Sequence, residues 1–226
     1  MSAFRRAICA GLTEVAEVLR AAGADDPLTL EDEFMSACAR LDATEARRIR
    51  TLRPDLPASL TEAQLRELPI LAMNACDDQV RLMVELGWPI GARGGDLDGS
   101  ALNWAVFRGN ASLADFLLEY GASWREPHMY GSDVVGTLGW ASINEPRGDG
   151  DWVGCARVML AHGLPHATVP QGEDPEARRY VLIDGREMTF SAEVTAVLVG
   201  SVIDGRVSRD PRIVGRGSAQ PLRLAG

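Results

Sequence analysis

Residues 96–124 read DLDGSALNWAVFRGNASLADFLLEYGASW, and the fold of the chain is decided there. Asp98-Gly99 is a turn signal. Ala101 to Arg108 reads as a short helix with small side chains on one side, and Gly109-Asn110 breaks it. Leu113, Phe116, Leu117 and Tyr120 then recur at helical spacing, and Gly121 closes the second helix as a C-terminal glycine cap. The stretch is a helix–turn–helix unit with a glycine after each helix.

The unit recurs along the chain. In residues 7–25, AICAGLTEVAEVLRAAGAD, Gly11 and Gly23 are twelve apart, as are Gly109 and Gly121. In residues 71–90, LAMNACDDQVRLMVELGWPI, Gly87 falls 34 residues before Gly121, and the first break is Ala75 rather than glycine. Residues 34–55, FMSACARLDATEARRIRTLRPD, keep Ala37-Cys38 and the second helix but lose both glycines. Downstream, Thr137-Leu138-Gly139-Trp140-Ala141 repeats 101–105 at an offset of 36, and Val158-Met159-Leu160 repeats 116–118 at an offset of 42. The difference of six is an insertion, Glu145 to Gly150, between the two helices of that unit. A helix pair of this length cannot bury its own apolar face, so neighbouring pairs must stack into a continuous core.

A period of 33–34 residues with paired helices and a glycine turn resembles the ankyrin repeat. The residues that carry the likeness are Asp98-Gly99-Ser100-Ala101-Leu102, Ala105, Gly109-Asn110, Leu117-Leu118 and Gly121-Ala122. Ser-Ala stands in place of the family's Thr-Pro, and Asn103 in place of its usual histidine. The resemblance implies an all-α solenoid of stacked helix–turn–helix units, bacterial-type, with repeats at 1–25, 30–55, 66–92, 96–124 and 131–165. It further implies a non-catalytic module that binds a protein partner through its concave face and loop tips.

After Pro165 the repeat pattern fails. Residues 167–178 are polar with two prolines, as in a loop. Tyr180 to Ile183, Asp184-Gly185, and Glu187 to Phe190 read as a β-hairpin, because Asp-Gly accepts the positive φ of a tight turn. Ser191 then N-caps a helix through Leu198. Residues 166–204 are expected to seal the last repeat, and 205–226 form a basic tail expected to be disordered.

Composition narrows the function classes. The 226 residues carry 32 acidic groups and 23 basic ones, all arginine, for a net charge of −9. Residues 1–204 hold 18 arginines and 31 acids, whereas the tail holds five arginines and one acid. An acidic solenoid repels phosphate, so nucleic acid is an unlikely partner, and a protein with a basic patch is favoured. The longest apolar run, Val194 to Ile203, is half of what a membrane span needs. Residues 1–14 lack the apolar core of a secretory signal. Four widely spaced cysteines, Cys9, Cys38, Cys76 and Cys155, read as small buried hydrophobes in a reducing compartment, and a cytoplasmic monomer without cofactor is expected.

Offsets between repeats select candidate contact residues. Ile70, Trp104 and Trp140 share one concave position; Met73, Phe107 and Ile143 share a second; Asn74, Arg108 and Asn144 share a third. The two tryptophans either form a contact stripe or pack between successive inner helices. Trp88 and Trp124 follow capping glycines at positions expected to face the core. The loop tip with His128, Met129 and Tyr130 is a second contact candidate.

Catalytic and metal chemistry finds little support. Cys155 and His162 are two helical turns apart, about 10 Å, too far for proton transfer. No phosphate-binding glycine loop and no His-Glu-x-x-His motif is present, and no metal is expected. A secreted effector, an enzyme with its site in 167–204, and a nucleic-acid binder acting through the tail stay open as alternatives.

Overall fold

The computed structural model describes residues 2–170 and 180–200, and the backbone of 202–203 and 206–207. Five helix pairs follow one another: α1 (Ala3–Cys9) with α2 (Thr13–Ala21), α3 (Leu30–Ala39) with α4 (Ala43–Leu52), and α6 (Glu67–Met73) with α7 (Asp77–Glu85), the last preceded by a single turn α5 (Glu62–Leu65). The finger β1 (Arg93–Gly94) and β2 (Gly99–Ser100) leads into α8 (Ala101–Phe107) and α9 (Ala111–Glu119), and α10 (Val134–Asn144) with α11 (Trp152–Ala161) completes the series. The expected hairpin forms as β3 (Val181–Ile183) and β4 (Arg186–Met188), followed by α12 (Ala192–Leu198). Strands β5 (Val202–Ile203) and β6 (Arg206–Val207) pair antiparallel. That pairing places 206–207 in a strand within the segment expected to be disordered, and the rest of 205–226 lies outside the described residues. So does most of the loop expected over 167–178.

Most of these helices are seven to eleven residues long, too short to persist alone in water. Their ends are fixed by side-chain caps. Ser2, Asp42, Ser100, Asn110, Asp151 and Ser191 each accept a backbone N–H of the first turn, and Thr29 with Asp32 and Thr61 with Gln64 form reciprocal capping boxes. Their apolar faces are buried by stacking. Inner helices pack α1 on α3, α6 on α8 and α8 on α10, and outer helices pack α7 on α9, α9 on α11 and α11 on α12.

The turn between inner and outer helices repeats in backbone conformation even where the residue changes. Gly11, Leu41, Ala75, Gly109 and Glu145 all have positive φ, between 45° and 68°. After the outer helix, Gly23, Gly87, Gly121 and Gly163 have φ between 87° and 95°. Repeat two lacks that second glycine. There Arg53 caps α4 at φ −129°, and its guanidinium pairs with Glu31 at 2.6 Å and Asp55 at 2.7 Å. Leu56 and Leu60 of the following loop are buried in the core.

The core runs unbroken from Cys9 and Phe34 to Leu198, while Phe4, Ala7 and Ala16 form a separate small cluster in the first repeat. In that repeat Arg5 donates from Nε at 2.8 Å and pairs from Nη2 at 2.6 Å to Asp32, which is fully buried. Cys9 Sγ donates to the other Asp32 oxygen at 3.4 Å, so one carboxylate ties repeat one to repeat two. Leu12, Val15 and Val18 of this repeat are exposed.

At the other end the hairpin turns at Asp184 and Gly185, both with positive φ, as the Asp-Gly sequence implies. Arg125 pairs with Asp184 at 2.8 Å, and Arg186 pairs at 2.7 Å with Asp133, whose other oxygen caps α10. The Ser191 N–H donates to Ser142 Oγ, and α12 lies on α11 as an outer helix would.

Two outcomes are expected. A side chain in the left-handed region costs about 1–2 kcal/mol relative to glycine. Ala75→Gly, at an exposed position, is therefore expected to stabilise the chain by about 0.5–1 kcal/mol after the entropy of the freer unfolded chain is deducted, read as a higher urea midpoint at unchanged m. Asp32 is the second case. Burial pushes its pKa up, but the Thr29 N–H, Arg5 and the Thr29 hydroxyl outweigh it and hold the carboxyl below the ordinary range. Its stabilising contribution is then present above the unfolded-state value of about 4 and lost as pH falls through the folded one. Asp32→Asn is expected to destabilise at pH 7 and to close the gap with wild type below about pH 4, by thermal melts across that range.

Candidate functional site

Counting back from the positive-φ residue of each repeat puts the candidate residues in register. Five residues before it stand Arg6, Ser36, Ile70, Trp104 and Trp140; two before it stand Cys9, Ala39, Met73, Phe107 and Ile143; one before it stand Ala10, Arg40, Asn74, Arg108 and Asn144. The three sets expected from sequence are therefore true columns, and they extend into the first two repeats.

Equivalent positions are not equally exposed. Trp104 is 4% exposed and Trp140 is 52% exposed. The finger before α8 covers Trp104: its indole N–H donates to the Gly94 carbonyl at 2.9 Å, and Gly95 lies so close to the ring that a Cβ would collide with it. Trp104 is thus a core residue that orients its neighbours. It meets Phe107 edge-on at 5.5 Å, and Phe107 stacks on Trp140 at 5.5 Å with an 8° interplanar angle. Phe107, Met73 and Ile70 are half-buried, while Trp140 and Ile143 are the exposed apolar residues of the stripe. Trp88 and Trp124 are buried, as their positions after the capping glycines implied. Trp152 is buried too, donating to the Val106 carbonyl at 3.1 Å.

The third column lies at the inner turns. Asn74 and Arg108 line an open polar cleft of 630 Å³ with Asn110, Ser112, and Arg147, Asp149 and Asp151 in or beside the insertion. The insertion folds back over the preceding turn, where Asp151 N–H donates to the Gly109 carbonyl at 2.8 Å and a side chain at 109 would strike the Gly150 backbone. Arg108 is committed within the protein, donating to the Ala72 carbonyl and pairing with Asp77, both at 2.9 Å. Asn110 also donates to Asp77. Asn144 is exposed and donates to the Trp140 carbonyl.

The loop tip is a structured turn. His128 N–H donates to the Ser132 carbonyl, and Met129 N–H donates to the Leu97 carbonyl of the preceding finger. The His128 and Tyr130 rings meet edge-on at 6.0 Å, and Met129 and Tyr130 project into solvent. Burial holds the His128 pKa below its ordinary value. Inside the same row of loops, fully buried Asn103 donates to Ser100 Oγ and the Glu126 carbonyl and accepts from the Thr137 hydroxyl at 2.8 Å. Asn103 thus bridges repeats four and five.

His162 Nε2 lies 2.9 Å from Asp115 across the outer helices, and Cys155 is fully buried, which pushes its thiol up to about 12. Burial also pushes the Cys9 and Cys38 thiols up to about 12, Cys9 being raised further by the Asp32 charge. Among the described residues no group of three or more His, Cys, Asp or Glu side chains is placed to hold a metal ion. No described helix is long and apolar enough to cross a membrane.

Sequence reasoning missed Arg6, Arg40 and Asp77. Arg40 stands in a degenerate repeat whose turn carries no readable break, since Leu41 replaces the glycine, whereas counting back from Gly11 would have found Arg6. Asp77 sits on an outer helix, where nothing in the sequence announces that it neutralises Arg108.

In-register helix pairs, left-handed inner turns and a β-finger before α8 are the arrangement that the resemblance to ankyrin repeats implied. Among solved structures, the chain is similar to the ankyrin repeat domain of Bcl-3, described as a unique member of the IkappaB protein family. Identity is 23%, over 71% of this chain and 69% of that one, with a TM-score of 0.45. It is also similar to the human ASB11 ankyrin repeat domain, at 15% identity over 73% of this chain and 99% of that one, with a TM-score of 0.35. No family model and no curated protein matches the chain.

Trp104→Ala is expected to cost about 3–5 kcal/mol, as for a buried aromatic truncated in a packed core. Trp140→Ala should cost about 1 kcal/mol or less, the value of one exposed stacking contact. Urea denaturation of both variants reads the difference, and equal losses would mean that the two indoles share one environment.

Proposed function

We propose that the chain is a non-catalytic module that binds another protein through the concave stripe and the adjoining loop tips. The observation that carries this reading is the Phe107–Trp140–Ile143 surface, where an aromatic stack anchored on buried Trp104 leaves a large apolar area open to water. Exposed apolar side chains held rigidly in this way are what interface hot spots require. Ile70, Met73 and Asn74 continue the stripe toward the N-terminal repeats, Arg108 buttresses the turn beside it, and His128, Met129 and Tyr130 provide a second contact on the loop row.

Recognition by preformed helices loses little ordering entropy, so modest areas suffice for binding. The reading takes the module as a cytoplasmic monomer, and the net charge of −9 favours a partner carrying a basic patch, because complementary far fields raise the encounter rate. Cys9, Cys38 and Cys155 are buried and His162 is held against Asp115, which favours binding over catalysis.

The test is quantitative cross-linking of the purified full chain to its partner proteins, comparing wild type with Trp140→Ala and Ile143→Asp. Partners that depend on the stripe should lose most of their cross-links in both variants while the melting temperature falls by no more than a few degrees. Cross-links concentrated on the outer helices α7, α9 and α11, and indifferent to both substitutions, would move the interface to the convex side.

A further inference from the structure

The stripe is not uniform along its length, and its charge runs opposite to that of the whole molecule. The three columns contain fifteen residues, of which three are arginine and none is acidic, in a chain with nine more acids than bases. Arg108 is already paired with Asp77. Arg6 and Arg40 are exposed and form no ion pair among the described residues. Arg40 reaches back along α3 to donate to Ser36 Oγ at 2.7 Å, which brings its guanidinium to the column occupied by Arg6 in the preceding repeat. The column therefore begins with two unpaired guanidinium groups and ends on the exposed Trp140 indole.

We infer that the segment of the partner that enters the stripe is bipartite: an apolar side chain seated against Phe107, Trp140 and Ile143, and a carboxylate cluster facing Arg6 and Arg40. This deepens the reading above and rests on it. The far field of the acidic molecule and the local field of the stripe act at different ranges. Beyond a Debye length of about 8 Å the net charge is screened, whereas contact charges within the groove decide what is accepted. Guanidinium groups that lose water on binding need planar acceptors, and carboxylates meet them with paired hydrogen bonds. Basic side chains placed there would face two unpaired positive charges.

The probe is a displayed library of random 20-residue peptides selected on the purified full chain, on Trp140→Ala, and on the double variant Arg6→Glu/Arg40→Glu. Wild type is expected to enrich peptides that pair an aromatic or large aliphatic residue with an Asp/Glu cluster. The double variant should exchange the acidic cluster for a Lys/Arg cluster and bind the wild-type peptides at least about tenfold more weakly. Arg6→Gln with Arg40→Gln, which keeps size and polarity, should lose the acidic preference without acquiring the basic one, which sets charge apart from disturbed folding. Peptides that depend on Trp140 but are basic or indifferent to charge would overturn the bipartite segment while leaving the stripe as the interface. Peptides selected equally well by Trp140→Ala would overturn both.

Discussion

Every repeat must reverse its chain between two short helices while leaving their apolar faces aligned with those of its neighbours. It does so at one residue in the left-handed region. Gly11, Gly109, Leu41, Ala75 and Glu145 share that conformation although only two are glycine. The strain at the other three persists because stacking over-determines the backbone, and each inner helix finds its place only if the turn below it has that shape. The register of the three surface columns, and hence the stripe, follows from this one constraint.

Stacking alone would give a solenoid with uniform sides. What differentiates this one is how the ends and the fingers use charge. Asp32 closes the N-terminal junction by gathering Arg5, Thr29 and Cys9 around a buried carboxylate, in a repeat whose own core is separate from the main one. Asp133 does the corresponding work at the C-terminal end, capping α10 with one oxygen and holding the hairpin through Arg186 with the other. Buried carboxylates of this kind hold position more than they add stability, since their desolvation offsets much of the attraction. Between these two junctions the interior is mostly apolar, and the buried Asn103 with Ser100 and Thr137 is its polar link.

Function follows from a local asymmetry. One finger covers Trp104, whose buried indole carries Phe107, and Phe107 in turn carries the open Trp140. The stripe is thus an exposed continuation of the core, which keeps its aromatic rings rigid in water. Toward the N-terminus the same column changes from aromatic to cationic.

The helix–turn–helix period, the fifth-repeat insertion, the Asp-Gly hairpin and the Ser191 cap were all legible in the sequence, because each rests on local pattern: glycine spacing, helical periodicity and capping chemistry. So was the burial of Trp88 and Trp124, which follows from their place after a capping glycine. The fates of Trp104 and Trp140 were not, since the two occupy the same position in their repeats. Only the finger folded over one of them and absent from the other separates core from surface. Arg5 and Arg6 are likewise adjacent and identical in type, yet one is drawn onto a buried carboxylate from the next repeat and the other is left in the groove. Local periodicity determines which residues are equivalent; the neighbours that fold against them, often thirty residues away, decide which of the equivalent residues meets water.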